Sequence, residues 1–110
     1  IGLGVWARRS GYFGMNFLGG RIETICKTIM TRRQNDYAIQ SGYDEDYVIT
    51  PTEDAIKEGD LKHPWRINHS SIDPTHELLW HDIIGEEHAY LEPLRKIKRG
   101  EEFTFNYNYN

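Results

Sequence analysis

The chain closes on EEFTFNYNYN, where Phe103, Phe105, Tyr107 and Tyr109 alternate with Thr104, Asn106 and Asn108. A period of two is the mark of a strand that sends successive side chains to opposite faces, so the four rings are expected on one face. Shorter apolar and β-branched runs predict strands at Val5–Ala7, Arg21–Met30, Tyr47–Thr50, Glu77–Trp80 and His88–Glu92, with the closing strand at Glu102–Asn108. No segment sustains a long 3.6-residue apolar period, and Gly and Pro interrupt the chain often. Ser10–Gly20 reads as a glycine-broken loop, Thr31–Gln40 holds a short helix, and a helical turn begins near Thr52. The pattern predicts a mainly β fold with short helices, and 110 residues predict a single domain over positions 1–110.

Composition narrows the chemistry. Charged residues make up 27% and hydrophobic residues 38%, as in a folded globular domain, and no apolar run reaches the ~20 residues of a membrane span. A formal net charge of −4 argues against general nucleic-acid binding, which depends on neutralising phosphates. The basic clusters Arg32-Arg33 and Arg95-Lys96 with Lys98-Arg99 therefore read as solvated faces. A single cysteine, Cys26, excludes an intrachain disulfide and a cysteine zinc cage. The chain opens abruptly inside a motif-like stretch, IGLGVWA, which is consistent with residues preceding Ile1 in a longer protein.

Several motifs fail on context. GLGVWA fits the G-x-G-x-x-A form of a dinucleotide fingerprint, with Glu23 at about the ~20-residue offset of a ribose-binding acid. That fingerprint follows a strand and opens a helix, whereas here Arg8 to Gly14 make a poor helix; what survives is that two close glycines let a ligand approach the backbone. HELLWH (His76 to His81) lacks the second histidine of a zinc helix at Trp80, and no other histidines have ligand spacing, so no metal site is expected. Asn68-His69-Ser70 is formally a glycosylation sequon, but it also places two side chains rich in hydrogen-bonding groups on a loop after the apolar WRI. Glu86-Glu87 and Glu101-Glu102 are adjacent pairs whose members face opposite sides of a strand, which does not make an acid–base dyad.

Three segments in order carry more weight than any one: GLGVWA near the start, RINHSS (Arg66–Ser71) past the middle, and IKRGEEFTFNYN (Ile97–Asn108) at the end. Together they resemble the SET domain of protein lysine methyltransferases, whose signatures read G-x-G-V-x-A, R-F-x-N-H-S-C and G-E-E-L-x-F-D-Y. The match covers residues 1–30 and 65–108, and is weak over 31–64. Trp65 stands where the family has Arg, Ser71 where it has Cys, and Asn106 where it has Asp; SSIDPT is one residue longer than usual and ends in Thr75 instead of Asn. No zinc-binding cysteines follow the last tyrosine, as in small stand-alone members.

The resemblance implies several small β-sheets with short helices and a C-terminal pseudoknot that brings NHS beside FNY. It also implies S-adenosylmethionine as cofactor and a histone tail or other lysine-bearing protein as substrate, with a nuclear location if that substrate is a histone. By motif, Gly2, Leu3 and Gly4 line the cofactor's amino-acid end, Asn68 binds its methionine moiety, and His69 meets the adenine largely through its backbone. Tyr107 takes the catalytic position, and Phe105 the position that tunes how many methyl groups are added. Tyr109 and Tyr47 are candidates to complete the lysine channel. The acidic stretches Asp44-Glu45-Asp46 and Glu53-Asp54 read first as solvated loop charges, with a face for a basic peptide as the alternative. A SET-like module that binds a peptide without catalysis is the alternative.

Overall fold

The computed structural model describes residues 4–17 and 19–107, with the backbone alone at Ile83 and Glu86. Two sheets share one core. The larger has five strands: β1 (Met15–Asn16), β5 (Asn68–His69), β6 (His76–Ile83), β7 (Glu86–Pro93) and β8 (Thr104–Phe105), in the order β1-β7-β6-β8-β5. The smaller runs β2 (Ile22–Cys26), β4 (Tyr47–Pro51), β3 (Ile39–Gln40), all antiparallel. Short helices α1 (Arg32–Asn35), α2 (Glu53–Glu58) and α3 (His63–Arg66) connect them.

The β6–β7 hairpin is the longest regular piece, pairing His76 with Pro93 through Ile83 with Glu86. Its alternation is physical: Leu78 and Trp80 of β6 and Ala89 and Leu91 of β7 turn to the core, while Glu77 and Glu92 face solvent. HELLWH is therefore strand, and the odd spacing of His76 and His81 puts them on opposite faces. Ile39 and Ile49 from the smaller sheet meet Phe17, Trp65, Ile67, Leu91, Ile97, Phe103 and Phe105 in one buried cluster. Burying such side chains contributes roughly 1.5–3 kcal/mol each.

Local chemistry explains the helices. Thr52 caps α2 by accepting from the Ala55 amide (3.1 Å), with Glu53 and Asp54 in the first turn and Gly59 closing it at φ 70°. Thr31 and Gln34 form a capping box on α1, and the buried Gln34 amide reaches Glu23 and the Pro51 carbonyl. Three expected strands are shorter than the pattern suggested. Arg21–Met30 is strand only to Cys26, then turns through a 3-10 helix at Lys27–Ile29. Glu102–Asn108 keeps its ladder only at Thr104–Phe105, with an isolated bridge at Glu102, and Val5–Ala7 contributes only the partner of that bridge, Trp6. The strands β1, β3 and β5 and the helix α3 are additions that no period announced, being two to four residues long.

The placement of β8 organises the rest. It lies between β6 and β5 and runs parallel to both, so the end of the chain is inserted between strands formed earlier. This pairing is what the pseudoknot of the SET resemblance requires.

One turn is costly. Ile84 and Gly85 close the hairpin at φ 53° and 76°, a two-residue turn that favours Asn-Gly and penalises a β-branched residue. Ile84→Asn is expected to stabilise the chain by about 1 kcal/mol. A urea titration should show a higher midpoint with an unchanged slope, and an unchanged or lower midpoint would contradict this account of the turn.

Candidate functional site

The NHS and FNY segments meet through backbone pairing. Asn68 aligns with Thr104 and His69 with Phe105, and the Ser70 amide donates to the Phe105 carbonyl at 3.0 Å. Beyond the strand, the Tyr107 amide donates to His69 Nδ1 at 3.0 Å, and the two rings stand edge to face with centroids 5.0 Å apart. The Tyr107 hydroxyl donates to the Ile67 carbonyl at 2.5 Å. Tyr107 is thus held at backbone and at hydroxyl by the single segment Ile67–His69. Burial, with a smaller contribution from Tyr37, pushes the phenol up to about 12. At neutral pH it is a hydrogen-bonding phenol, not a base.

Asn68 is oriented from its amide end, where Nδ2 donates to Glu102 Oε2 at 2.7 Å. Gly4 packs onto this pair. Its amide donates to the Arg66 carbonyl (3.2 Å), its φ is +84°, and a Cβ built there would lie 2.5 Å from the Trp6 ring and 2.9 Å from Glu102 Oε2. Only glycine takes that backbone conformation and that clearance without strain. The three motif segments therefore converge on Gly4, Arg66–His69 and Glu102–Tyr107.

Phe105 is buried at 2% exposure. Its ring lies 4.8 Å from that of Tyr107 and 6.0 Å from that of Phe17, which packs edge-on against Trp65 at 4.8 Å. Phe103 turns to the same core but to other neighbours, Phe13 and His76. The indole N–H of Trp65 is buried without a hydrogen-bond partner among the described residues. Gly2, Leu3 and Tyr109 lie outside the described residues. Tyr47 opens β4, exposed and opposite Cys26, in the sheet that does not carry Phe105 and Tyr107.

Sequence reasoning missed several residues here. Glu101 and Glu102 do diverge as adjacent strand residues should: Glu101 pairs with Arg95, which together with the Lys98 amide holds its carboxyl down to about 2, while Glu102 turns to Asn68. The alternation was legible, but the partner of Glu102 was not. Phe17 and Tyr37 sit in stretches without periodicity, and only folding brings them near Phe105 and Tyr107. A cavity of about 440 Å³ bordered by Met15, Asn16, Leu61, Lys62, His63 and Pro64 involves none of the predicted site residues.

A second device fixes β8. The Thr104 amide donates to Thr75 Oγ1 (2.8 Å) and the Thr75 amide donates to Thr104 Oγ1 (3.2 Å). Thr75 Oγ1 also meets His76 Nδ1 at 2.8 Å, and His76 Nε2 donates to the Phe13 carbonyl at 2.6 Å. The buried imidazole ties the loop after GLGVWA to the strand that carries Phe105.

The SET domain family model matches residues 2–108, and the chain belongs to that family. No curated protein sequence matches it. Among solved structures it is similar to a Plasmodium falciparum candidate histone methyltransferase, with TM-score 0.63 and 18% identity over 97% of this chain and 84% of that one. It is similar to the polycomb repressive complex 2 of Chaetomium thermophilum at TM-score 0.70 and 21% identity, covering 97% of this chain but 14% of that one. The Cryptosporidium protein CpSET8 gives TM-score 0.61 and 22% identity over 94% of this chain and 50% of that one. The chain spans half or less of the last two. At these identities the likeness establishes the mainly β SET fold.

His76 supplies a pH test of the clasp. Burial lowers its pKa below 6.5, partly offset by the bond to Phe13. The folded state therefore binds fewer protons than the unfolded state once pH drops below about 6.5, so stability is full above that value and declines as pH falls through the folded value. The melting temperature is expected to fall between about pH 7.5 and 5.5, and to fall less in His76→Gln, which keeps a donor for Phe13 but does not titrate. Equal pH profiles for the two proteins would contradict the assignment.

Proposed function

We propose that this chain is an S-adenosylmethionine-dependent protein lysine N-methyltransferase acting on a histone tail or another lysine-bearing peptide. The observation that carries the reading is the double anchoring of Tyr107 by Ile67 and His69, beside an Asn68 fixed by Glu102. Family membership supports it, as does the related structure of ctPRC2 in an autoinhibited conformation bound to S-adenosylmethionine (TM-score 0.66, 19% identity, 96% of this chain and 13% of that one).

At Gly4 the backbone runs bare against Trp6 and Glu102, where a Cβ would collide, so the first motif closes on the Glu102–Asn68 pair that the cofactor reading uses. When bound, S-adenosylmethionine supplies a methyl group on a positively charged sulfur. Gly2, Leu3 and Gly4 would hold its amino-acid end, Asn68 its methionine moiety, and the His69 backbone its adenine. The target lysine must arrive neutral, against an ordinary pKa of about 10.4. Burial among aromatic side chains lowers that value, and confinement orients the amine. The Tyr107 hydroxyl donates its hydrogen bond to the Ile67 carbonyl, so its oxygen keeps lone pairs to accept from the amine and steer it. With a phenol near 12, Tyr107 orients the amine and does not deprotonate it. Phe105 adds no hydroxyl beside Tyr107, which leaves room for an amine that already carries a methyl group.

The test is mass spectrometry of lysine peptides and histones incubated with S-adenosylmethionine. The unmodified chain should transfer more than one methyl group, and Phe105→Tyr should shift products toward monomethyl-lysine. Tyr107→Phe is expected to lower kcat by about 100-fold, the scale set by loss of positioning. Monomethyl product alone from the unmodified chain would sink the role given to Phe105. Cofactor binding without any transfer would leave a peptide-binding SET module instead of an enzyme.

A further inference from the structure

Net charge hides a local feature that only the fold reveals. Residues 6–11 run antiparallel to residues 97–102, tied by bridges at Trp6–Glu102 and Gly11–Ile97. The Ala7 amide donates to the Glu101 carbonyl (2.9 Å), the Gly100 amide to the Ala7 carbonyl (2.8 Å), and the Arg99 amide to Ser10 Oγ (3.1 Å). This ribbon sets Arg8 and Arg9 beside Lys98 and Arg99, with Lys96 next along the same segment, and all five are exposed. None of them takes part in an ion pair among the described residues, and the two acids within the ribbon are engaged elsewhere, Glu101 by Arg95 and Glu102 by Asn68. Like charges brought together across paired backbone work against folding. The five account for over a third of the chain's 13 Lys and Arg; the remaining eight face 17 acidic residues, so the positive charge is concentrated on one ribbon of an otherwise acidic molecule.

An exposed aromatic flanks the cations: Tyr12 is 70% exposed at the end of the segment, while Arg9 lies over the Phe13 ring at 5.8 Å. An acidic peptide could also engage cations and a ring, so the polyglutamate control below separates that occupant from a nucleic acid. Cations that track a phosphate backbone, with a ring on which a base stacks, fit a single-stranded nucleic acid. We propose that the ribbon formed by residues 8–12 and 96–99 binds single-stranded nucleic acid, next to but not including the Gly4–Glu102 end of the candidate site. The expectation of no nucleic-acid contact follows from averaging charge over the whole sequence, and the average conceals two basic segments that are far apart in the chain and adjacent in the fold.

The test is fluorescence anisotropy of the full chain with labelled single-stranded and duplex probes of about 20 nucleotides, titrated with salt from about 50 mM. The single strand should bind more tightly than the duplex, with log K falling against log salt at a slope of about −3.5 if five phosphates are engaged. Arg8→Ala with Arg9→Ala, and Lys98→Ala with Arg99→Ala, should each flatten that slope by about 1.4. Tyr12→Ala should weaken the single strand about tenfold or more, and Arg32→Ala with Arg33→Ala should leave binding unchanged. All these positions are exposed, so loss of fold does not confound the result. No binding at the lowest salt, tighter binding of the duplex, equal affinity for polyglutamate, or equal loss in the Arg32/Arg33 variant would each overturn the proposal.

Discussion

Everything at the candidate site hangs on the parallel pairing of β5 with β8. Two aligned residue pairs, Asn68 with Thr104 and His69 with Phe105, join segments 36 positions apart in the chain. Without that pairing Tyr107 has no His69 to receive its amide and no Ile67 carbonyl to receive its hydroxyl. A parallel pair cannot be closed by a tight turn; it needs a long intervening connection, and here the β6–β7 hairpin supplies much of it. The hairpin also flanks β8 on its other side, so the element that separates the two motifs in sequence cements them in space.

Such a short ladder needs support. Phe105 provides it from the core side, packed against Phe17 and Tyr107 at centroid distances where aromatic pairs are favourable. Thr75 and His76 provide it from the strand side, through reciprocal bonds to Thr104 and a reach across to the Phe13 carbonyl. Both supports are buried, which makes unpaired alternatives costly and the arrangement unique. The same economy appears at Gly4, where absence of a side chain lets the first motif close over the Glu102–Asn68 pair.

The closing alternation was legible because its three described rings have a use on one side: Phe103 and Phe105 are buried and Tyr107 packs against the same cluster. The hairpin and β4 were legible for the same reason, each presenting a run of apolar residues long enough to register a period. Strands of two residues carry no period, so β5, whose pairing makes the site, read as a loop. The order of three motifs, not any local pattern, pointed to the SET family. Partners set by tertiary approach were beyond reach: Glu102 for Asn68, Ile67 for the Tyr107 hydroxyl, Tyr37 beside that phenol. Net charge carries no positional information, so the adjacency of residues 8–9 and 96–99 was likewise not legible.

The account's central claim is that the convergence of Gly4, Asn68 and Glu102 forms a cofactor site. Calorimetric titration of the chain with S-adenosylmethionine tests it most directly, with Glu102→Ala as the comparison. Saturable binding at one site is expected, weakened about tenfold or more when Asn68 loses the carboxylate that orients it. No saturable heat from the unmodified chain, or equal affinity in Glu102→Ala, would contradict it.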